Sequence, residues 1–91
     1  MYFEKAKGIT AKVQFSLSGE DGGEWGVEIN DGNISIKEST IAEPNLVVIA
    51  DAEVARQVFT GDLDGMTAFT TGKVKLEGDR SLALRLIEML K

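Results

Sequence analysis

The sequence predicts an α+β fold in which helices pack on one face of a mostly antiparallel sheet. Two observations indicate this class. Apolar and polar residues alternate with a period of two through the first part of the chain, which is typical of strands. The second part contains a continuous apolar run and two segments with apolar residues at helical spacing. The length of 91 residues fits one compact domain, residues 1–91, with one core.

The first part of the chain predicts an antiparallel meander of three strands. Apolar side chains occupy every second position in residues 9–17, which indicates a half-buried strand. A glycine-rich turn at 19–23 leads to a second alternating run at 25–29. The Asp-Gly pair at 31–32 is a hairpin signal, and a third strand begins with the isoleucines at 34 and 36. Such a meander has one face toward water and one toward the core.

The pattern changes after Pro44. The run LVVIA at 46–50 is continuously apolar, as expected of a strand covered on both faces. Asp51 is a candidate N-cap for the helix that follows. Apolar residues then recur at helical spacing until Gly61, which predicts a C-cap.

The last third of the chain predicts a short helix, a strand and a closing helix. The short helix lies at about residues 65–70, within a polar loop. Charged and apolar side chains alternate at 73–77, which predicts the fifth strand. Gly78 and Asp79 then supply the turn and the N-cap of a final helix at 80–90.

Composition excludes most catalytic chemistry. The chain has no Cys and no His, so thiolate nucleophiles, zinc–sulfur sites and the commonest general base are all missing. Asp62 with Asp64, and Glu20 with Asp21, are pairs of carboxylates in exposed turns, where no partner for general acid–base chemistry is indicated. We therefore expect no enzyme activity, no metal and no cofactor.

The net charge and the targeting signals of the sequence limit the classes of partner and the compartment that we expect. The net charge of −5, with scattered Lys and Arg, gives no electrostatic footprint for nucleic acid. No apolar run reaches the ~18–20 residues that span a bilayer, so we expect no stable membrane insertion. The N-terminus lacks a signal-peptide core, which predicts a cytoplasmic protein.

The closing helix has a wider apolar surface than packing on a sheet requires. Its apolar residues cover an arc of roughly 160°, whereas about 100° suffices for a helix on a sheet. They are Leu82, Ala83, Leu86, Ile87, Met89 and Leu90. The helices could enclose an apolar pocket above the sheet, or they could simply pack on one another as ordinary core.

Four basic residues near the last strand allow two interpretations. Lys73, Lys75, Arg80 and Arg85 could gather at a pocket mouth and hold an anionic head group. Such residues are more often the solvated face of an edge strand, where lysine also prevents unwanted pairing. The sequence alone leaves both interpretations open.

The order of these elements resembles the sterol carrier protein-2 domain. ITAKVQFSLSGEDGGEWGVEINDG is similar to the first hairpin of that family, and LVVIADAEVARQVFTGDLDGMTAFTTGKVKLEGDRSLALRL is similar to its second half. The specific part is A-F-x-x-G-K-x-K-x-x-G-D at 68–79. The resemblance implies a five-stranded sheet with helices on one face and a hydrophobic tunnel between them. It also implies binding of sterols, fatty acids, acyl-CoA esters or phospholipids without chemical change.

The resemblance suggests which side chains line such a pocket. The candidates are Phe15, Trp25, Val27, Val58, Phe59, Met66, Phe69, Leu82, Leu86 and Met89. Each would make hydrophobic contacts with a fatty acid, an acyl-CoA or a sterol-like ligand. The alternative is a non-catalytic dimerisation or interaction module on the same fold, with its pocket collapsed.

Both ends of the chain depart from the family pattern. Family members begin with one or two additional helices, whereas residues 1–8 here allow about two turns. We therefore expect a short variant whose pocket is shallow, open, or completed by a second subunit in a homodimer. The chain ends Met-Leu-Lys, without a peroxisomal Ser-Lys-Leu signal, which fits a prokaryotic cytoplasmic protein.

Overall fold

The computed structural model describes residues 2–20 and 22–89, and these form a five-stranded sheet with three α-helices. The predicted α+β class is confirmed. In chain order the elements are a 3-10 turn at Glu4–Ala6, β1 Thr10–Ser18, β2 Gly23–Asn30, β3 Asn33–Lys37, β4 Leu46–Asp51, α1 Ala52–Thr60, α2 Gly65–Thr70, β5 Val74–Gly78 and α3 Arg80–Met89.

The sheet has the strand order β3-β2-β1-β4-β5. β1 is the central strand, and it pairs antiparallel with β2 and parallel with β4. Val13 marks the centre of the register, because it lies opposite Val27 on one side and Leu46 on the other. The remaining two pairings are antiparallel, so the sheet is mostly antiparallel, as predicted.

The helices cover one face of the sheet, which we call the inner face. Val13, Ile29 and Leu46 lie on this face and are buried. They pack in one cluster with Leu82 and Ala83 of α3. The core therefore sits between the middle of the sheet and the start of α3, and it is small, as expected for a chain of this length.

The helix signals seen in the sequence act as predicted. The Asp51 carboxylate accepts a hydrogen bond of 2.9 Å from a backbone N–H in the first turn of α1. Asp79, also predicted as a cap, accepts a 3.1 Å bond from the backbone N–H of Leu82 in α3. Asp64, which the sequence did not indicate as a cap, accepts a bond of the same length from the backbone N–H of Thr67 in α2. Gly61 ends α1 in the left-handed region at φ 87°, where glycine is favoured.

Some boundaries differ from the predictions. The fifth strand is shifted by one residue, to Val74–Gly78, because Gly78 still pairs with Leu46 of β4. The N-terminal segment forms a single 3-10 turn at Glu4–Ala6 rather than two helical turns. Leu90, which the sequence places in the closing helix, lies outside the described residues.

The opposite, outer face of the sheet is partly covered by the loop between β3 and β4. Gln14, only 7% exposed, holds this loop in place. Its amide nitrogen donates to the backbone oxygens of Ser39 (3.2 Å) and Trp25 (3.3 Å), and its amide oxygen accepts a 2.6 Å bond from the backbone N–H of Ile41. A polar side chain is thus buried at low cost, since both ends of its amide are hydrogen-bonded.

The apolar run at 46–50 is less fully covered than the sequence indicates. Leu46 and Ala50 are buried on the inner face, where Val48 is half-buried, and Val47 and Ile49 on the outer face are only half-buried as well. The loop crosses the sheet over β1 and β2, and this leaves the outer side of β4 partly open. The continuous apolar pattern therefore overstates the burial of this strand.

Candidate functional site

An apolar cleft of about 540 Å³ lies on the inner face, where β1 ends and α1 begins. β1 and β4 run parallel, so their carboxyl ends meet at this edge and α1 starts directly from β4. The lining residues are Leu17, Glu20, Asp51, Ala52, Glu53, Ala55, Arg56 and Phe59.

The walls of the cleft are apolar. Leu17 comes from the inner face of β1, while Ala52, Ala55 and Phe59 are spaced so that they share one side of α1. The two alanines are small, and this leaves open space between the helix and the strand. The Phe59 ring is 61% exposed, and its centroid lies 6.4 Å from that of Phe15 at an angle of 45°. A large aromatic surface therefore borders the cleft without being covered.

The rim of the cleft carries charge. Arg56 donates from Nε to Glu53 Oε2 over 3.0 Å, and its Nη2 donates to the other oxygen of the same carboxylate. This hydrogen bonding lowers the pKa of Glu53 below its usual value and raises the pKa of Arg56, although partial desolvation opposes both shifts. Both side chains remain largely exposed, so the pair contributes little to stability.

A second cavity, of about 270 Å³, lies on the outer face beneath the β3–β4 loop. Its lining is mainly polar and includes Lys12, Glu28, Ser35 and Lys37. Its apolar lining is limited to Ile41 and Ala42, and it contains no aromatic side chain. The apolar cleft is therefore the candidate site for a hydrophobic ligand.

One of the ten predicted lining residues lines the cleft, and three others lie on the neighbouring part of the inner face. Phe59 lines it directly, and Phe15 contacts Phe59. Trp25 lies opposite Phe15 in the register of β1 and β2, and Val27 lies opposite Val13. These three strand residues share the inner face and form an apolar floor that leads away from the cleft.

The other six predicted lining residues lie on the helices. Leu82 is buried in the core, and Leu86 and Met89 pack against that core. Val58, Met66 and Phe69 are half-buried on α1 and α2. The described structure thus distributes these side chains over the interior, and none of the six borders the cleft.

The cleft also contains residues that the sequence reasoning did not select. Leu17, Ala52 and Ala55 form most of its apolar wall. Leu17 continues the alternation that includes Phe15, so the pattern already placed it on the inner face. The two alanines could not be predicted as lining residues. A small side chain leaves open space only if its neighbours in the fold do not fill it, and the sequence does not show those neighbours.

Two other kinds of functional feature, a membrane-spanning helix and a metal site, are not found among the described residues. None of their helices is long and apolar enough to cross a bilayer. They also contain no cluster of three or more acidic side chains arranged to hold a metal ion. The cleft is therefore the feature on which a function can be argued.

The protein is thus an α+β domain whose helices lie on one face of a five-stranded sheet, with an open apolar cleft between the sheet and α1. The model of the SCP-2 sterol transfer family matches residues 2–91, and the chain belongs to this family. The resemblance noted in the sequence is thereby confirmed.

One curated relative is hydroxysteroid dehydrogenase-like protein 2 from Bos taurus. It is 34% identical over 86 residues, which cover 92% of this chain but only 20% of the relative. The chain therefore spans about a fifth of the length of such relatives.

Two solved structures share the fold. The sterol carrier protein domain 2 of Helicoverpa armigera has a TM-score of 0.80 at 19% identity, over 94% of this chain and 70% of that one. Palmitated SCP2L2 from Aedes aegypti has a TM-score of 0.76 at 23% identity, over 90% of this chain and 73% of that one. Identities this low show a common fold and nothing further.

Proposed function

We propose that this chain is a small carrier domain that holds a hydrophobic ligand in the cleft between β1 and α1. The ligand class includes fatty acids, acyl-CoA esters and sterol-like molecules. The observation that carries this proposal is the exposed Phe59 ring beside a cleft of about 540 Å³ with apolar walls. Membership of a sterol transfer family and the palmitated Aedes aegypti protein of the same fold support it.

Binding would be driven by removal of apolar surface from water. Each methylene group that the ligand buries contributes ~0.8 kcal/mol, and the covered part of the Phe59 ring adds to this. Phe15 lies behind Phe59, and Trp25 is its neighbour in the sheet. A ligand tail that extends along the inner face would therefore meet a continuous apolar floor.

The proposal includes no catalytic step. The chain has no Cys and no His, and the carboxylates at the rim are exposed side chains without the burial that tunes a general acid or base. We propose that the domain carries its ligand unchanged, and that it does so in the cytoplasm.

The first experiment is a thermal melt of the protein after removal of co-purified lipid. Fatty acids, acyl-CoAs and sterols are added one class at a time, and Trp25 emission is followed together with the melting temperature. A ligand present at a hundredfold excess over Kd stabilises the folded state by about 2.7 kcal/mol. In a domain of this size each kcal/mol raises the melting temperature by roughly 4–8 °C.

Two variants with matched exposure make the experiment specific. Phe59→Ala removes the aromatic wall of the cleft, and Leu84→Ala removes an apolar side chain that is 52% exposed on α3. We expect the ligand-induced shift to be lost or strongly reduced in the first variant and kept in the second. If the unmodified protein responds to no ligand class, the carrier function is wrong.

A second candidate function is an interaction module. The observation that favours it is the apolar surface left uncovered elsewhere, at Ile36 on the edge strand β3 (55% exposed) and at Leu84 on α3. A second chain that covered these side chains would remove their apolar surface from water. We propose a homodimer as the simplest form of this module.

A further inference from the structure

The part of α1 that lines the cleft is charged at one end and aromatic at the other. Asp51 and Glu53 lie at the start of the helix and Arg56 follows about one turn later, whereas Phe59 lies near the helix end. The hydrogen bonds from Arg56 to Glu53 use only part of the N–H donors of the guanidinium, so this group can also donate to an anionic head group. We therefore expect a bound amphiphile to keep its head group at the charged end and to point its chain toward Phe59.

The Phe59 ring lies between the cleft and the rest of the inner face. Phe59 lines the cleft, whereas Phe15 does not. The two rings nevertheless pack together, with their centroids 6.4 Å apart. Phe15 in turn lies opposite Trp25 in the register of β1 and β2. A chain that fills the cleft from its charged end thus meets the ring pair of Phe15 and Phe59 before it can reach Trp25.

The inner face beyond the ring pair is apolar and incompletely covered. Trp25 and Val27 are only half-buried. Ile36 lies opposite Val27 on the same face and is 55% exposed. A chain end that reached this region would exchange contact with water for contact with apolar side chains, which favours binding.

The ring pair can separate without disturbing the core. All residues of α1 are described and none of them is buried, and the Phe59 ring is 61% exposed. The favourable geometry of an aromatic pair corresponds to a factor of roughly two- to tenfold in an equilibrium constant. Each methylene group that a ligand buries contributes a factor of about four. Burial of about two methylene groups beyond the rings therefore offsets their separation.

The length of the cleft determines which chains reach the ring pair. The lining residues of α1 run from Ala52 to Phe59. With a rise of about 1.5 Å per residue this stretch is about 10 Å long, which corresponds to roughly eight carbons of an extended acyl chain. Shorter chains fit beside the closed ring pair, whereas longer chains must separate it.

We propose that the ring pair of Phe15 and Phe59 is a gate between two parts of one binding site. The cleft holds the first carbons of an acyl chain, and the inner face at Trp25 holds the end of a long chain. This inference rests on the proposed function and deepens it, because it names long straight acyl chains as the ligands that use the whole site. Phe59 and Phe15 are then the residues that determine the response to chain length.

The experiment uses saturated fatty acids with even carbon numbers, from hexanoate to hexadecanoate. Each is added below its micelle-forming concentration to the lipid-free protein, and affinity is measured by calorimetry together with Trp25 emission. We expect the affinity to rise about fourfold per methylene group up to roughly eight carbons, to change little over about the next two, and then to rise again. Trp25 emission should shift only with the longer acids, because Trp25 lies beyond the ring pair.

A variant of the inner ring identifies the gate. Phe15→Leu removes the ring against which Phe59 packs but keeps an apolar side chain on the inner face. We expect the interruption in the series to disappear, dodecanoate to bind roughly two- to tenfold more tightly, and octanoate binding to stay unchanged. The control is Phe69→Leu, which makes the same change at a half-buried phenylalanine of α2 that does not line the cleft. That control should keep the interruption.

The outcomes separate the gate from the carrier function. An affinity that rises evenly over the whole series, with Trp25 responding alike to octanoate and hexadecanoate, overturns the gate and leaves the carrier function standing. An affinity that stops rising at roughly eight carbons, with Trp25 unresponsive to hexadecanoate, also overturns it, since chains then end at Phe59. If no fatty acid binds, the gate is wrong, and the carrier function fails as well if acyl-CoAs and sterols give no thermal shift. The series on the unmodified protein tests the gate by itself, should Phe15→Leu fold poorly.

Discussion

At the scale of single residues, the surroundings of Gly26 and Gly65 differ in whether they leave room for a side chain. Gly26 lies on the outer face of β2 beneath the β3–β4 loop, and a Cβ there would lie 2.5 Å from Ile41 Cγ1. Gly65 begins α2, and a Cβ there would find its nearest atoms, in Val58 and Ile87, at the ordinary distance of 3.7 Å. Close packing requires the first glycine, whereas nothing in the surroundings requires the second.

We therefore expect Gly26→Ala and Gly65→Ala to change stability in opposite directions. The first variant overpacks the loop against the sheet and should cost about 1–3 kcal/mol. The second replaces a helical glycine with the best helix former and should add up to about 1 kcal/mol. Urea denaturation of both variants checks this. Equal stability of Gly26→Ala and the unmodified protein would contradict the close contact with Ile41.

The burial of Gln14 could not be predicted from the sequence pattern of its strand. It occupies a polar position in an alternating strand, and the pattern therefore places it on the face toward water. In the fold it is nearly fully buried, because the β3–β4 loop crosses above it and hydrogen-bonds to its amide. The alternation predicts the face correctly, but it carries no information on a loop that returns from more than twenty residues away.

At the scale of elements, α3 is joined to the sheet through its first residues. The backbone N–H of Asp79 donates to the backbone oxygen of Asn45, 2.9 Å away, and the side chain of Asp79 caps the helix through Leu82. Asn45 in turn exchanges hydrogen bonds of 2.8 Å with the backbone of Lys12 in β1. The start of the closing helix is thus fixed relative to the central strand.

Replacement of Asp79 should separate the contribution of its side-chain hydrogen bond from that of its backbone bond to Asn45. Asp79→Ala removes the side-chain acceptor, and loss of such an N-cap costs about 0.5–2 kcal/mol. Asp79→Asn keeps an acceptor of the same shape and should cost much less. Thermal unfolding followed by circular dichroism measures both. A midpoint for Asp79→Ala equal to that of the unmodified protein would show that the backbone bond to Asn45 alone holds the helix.

The elements that the sequence predicted best are those fixed by neighbouring residues. Asp51, Asp79 and Gly61 cap their helices as local rules require, since each acts on groups within one turn. The parallel pairing of β1 with β4 depends instead on contacts between distant segments. No local pattern distinguishes it from an antiparallel arrangement, and the sequence therefore predicted only a mostly antiparallel sheet.

At the scale of the whole molecule, the helices leave part of the inner face uncovered. Ile36 on the edge strand β3 lies opposite Val27 on this face and is 55% exposed. Phe59, at the cleft, is exposed as well. A monomer in water pays a free-energy cost for such surface, and association of two copies would remove part of it.

We expect the purified protein to form a dimer at micromolar concentration. Ile36→Lys places a charge on the uncovered inner face and should shift the molar mass in light scattering toward that of a monomer. Ser35→Lys adds the same charge to the same strand, but on the outer face, and should leave the mass unchanged. A monomeric mass for the unmodified protein would rule out the dimer.

The cleft could be predicted only in part, because it is formed by elements that are distant in the sequence and meet only in the fold. The sequence indicated an apolar surplus on the closing helix, and its candidate lining residues included Phe59 and Phe15. It did not locate the cleft, since that depends on where α1 lies relative to the end of β1. Leu17 and Ala55 become neighbours only after the parallel strands bring both elements to one edge of the sheet.

The position of α3 in the core has a consequence for synthesis of the chain. The strands β1, β2 and β3 are joined by short turns and can pair as soon as they leave the ribosome, because neighbouring segments meet quickly. Val13 and Leu46, however, pack against Leu82 and Ala83, which are translated after all five strands. A nascent chain that stops before α3 keeps its future core in contact with water, and it therefore remains a substrate for chaperones and proteases until α3 is made.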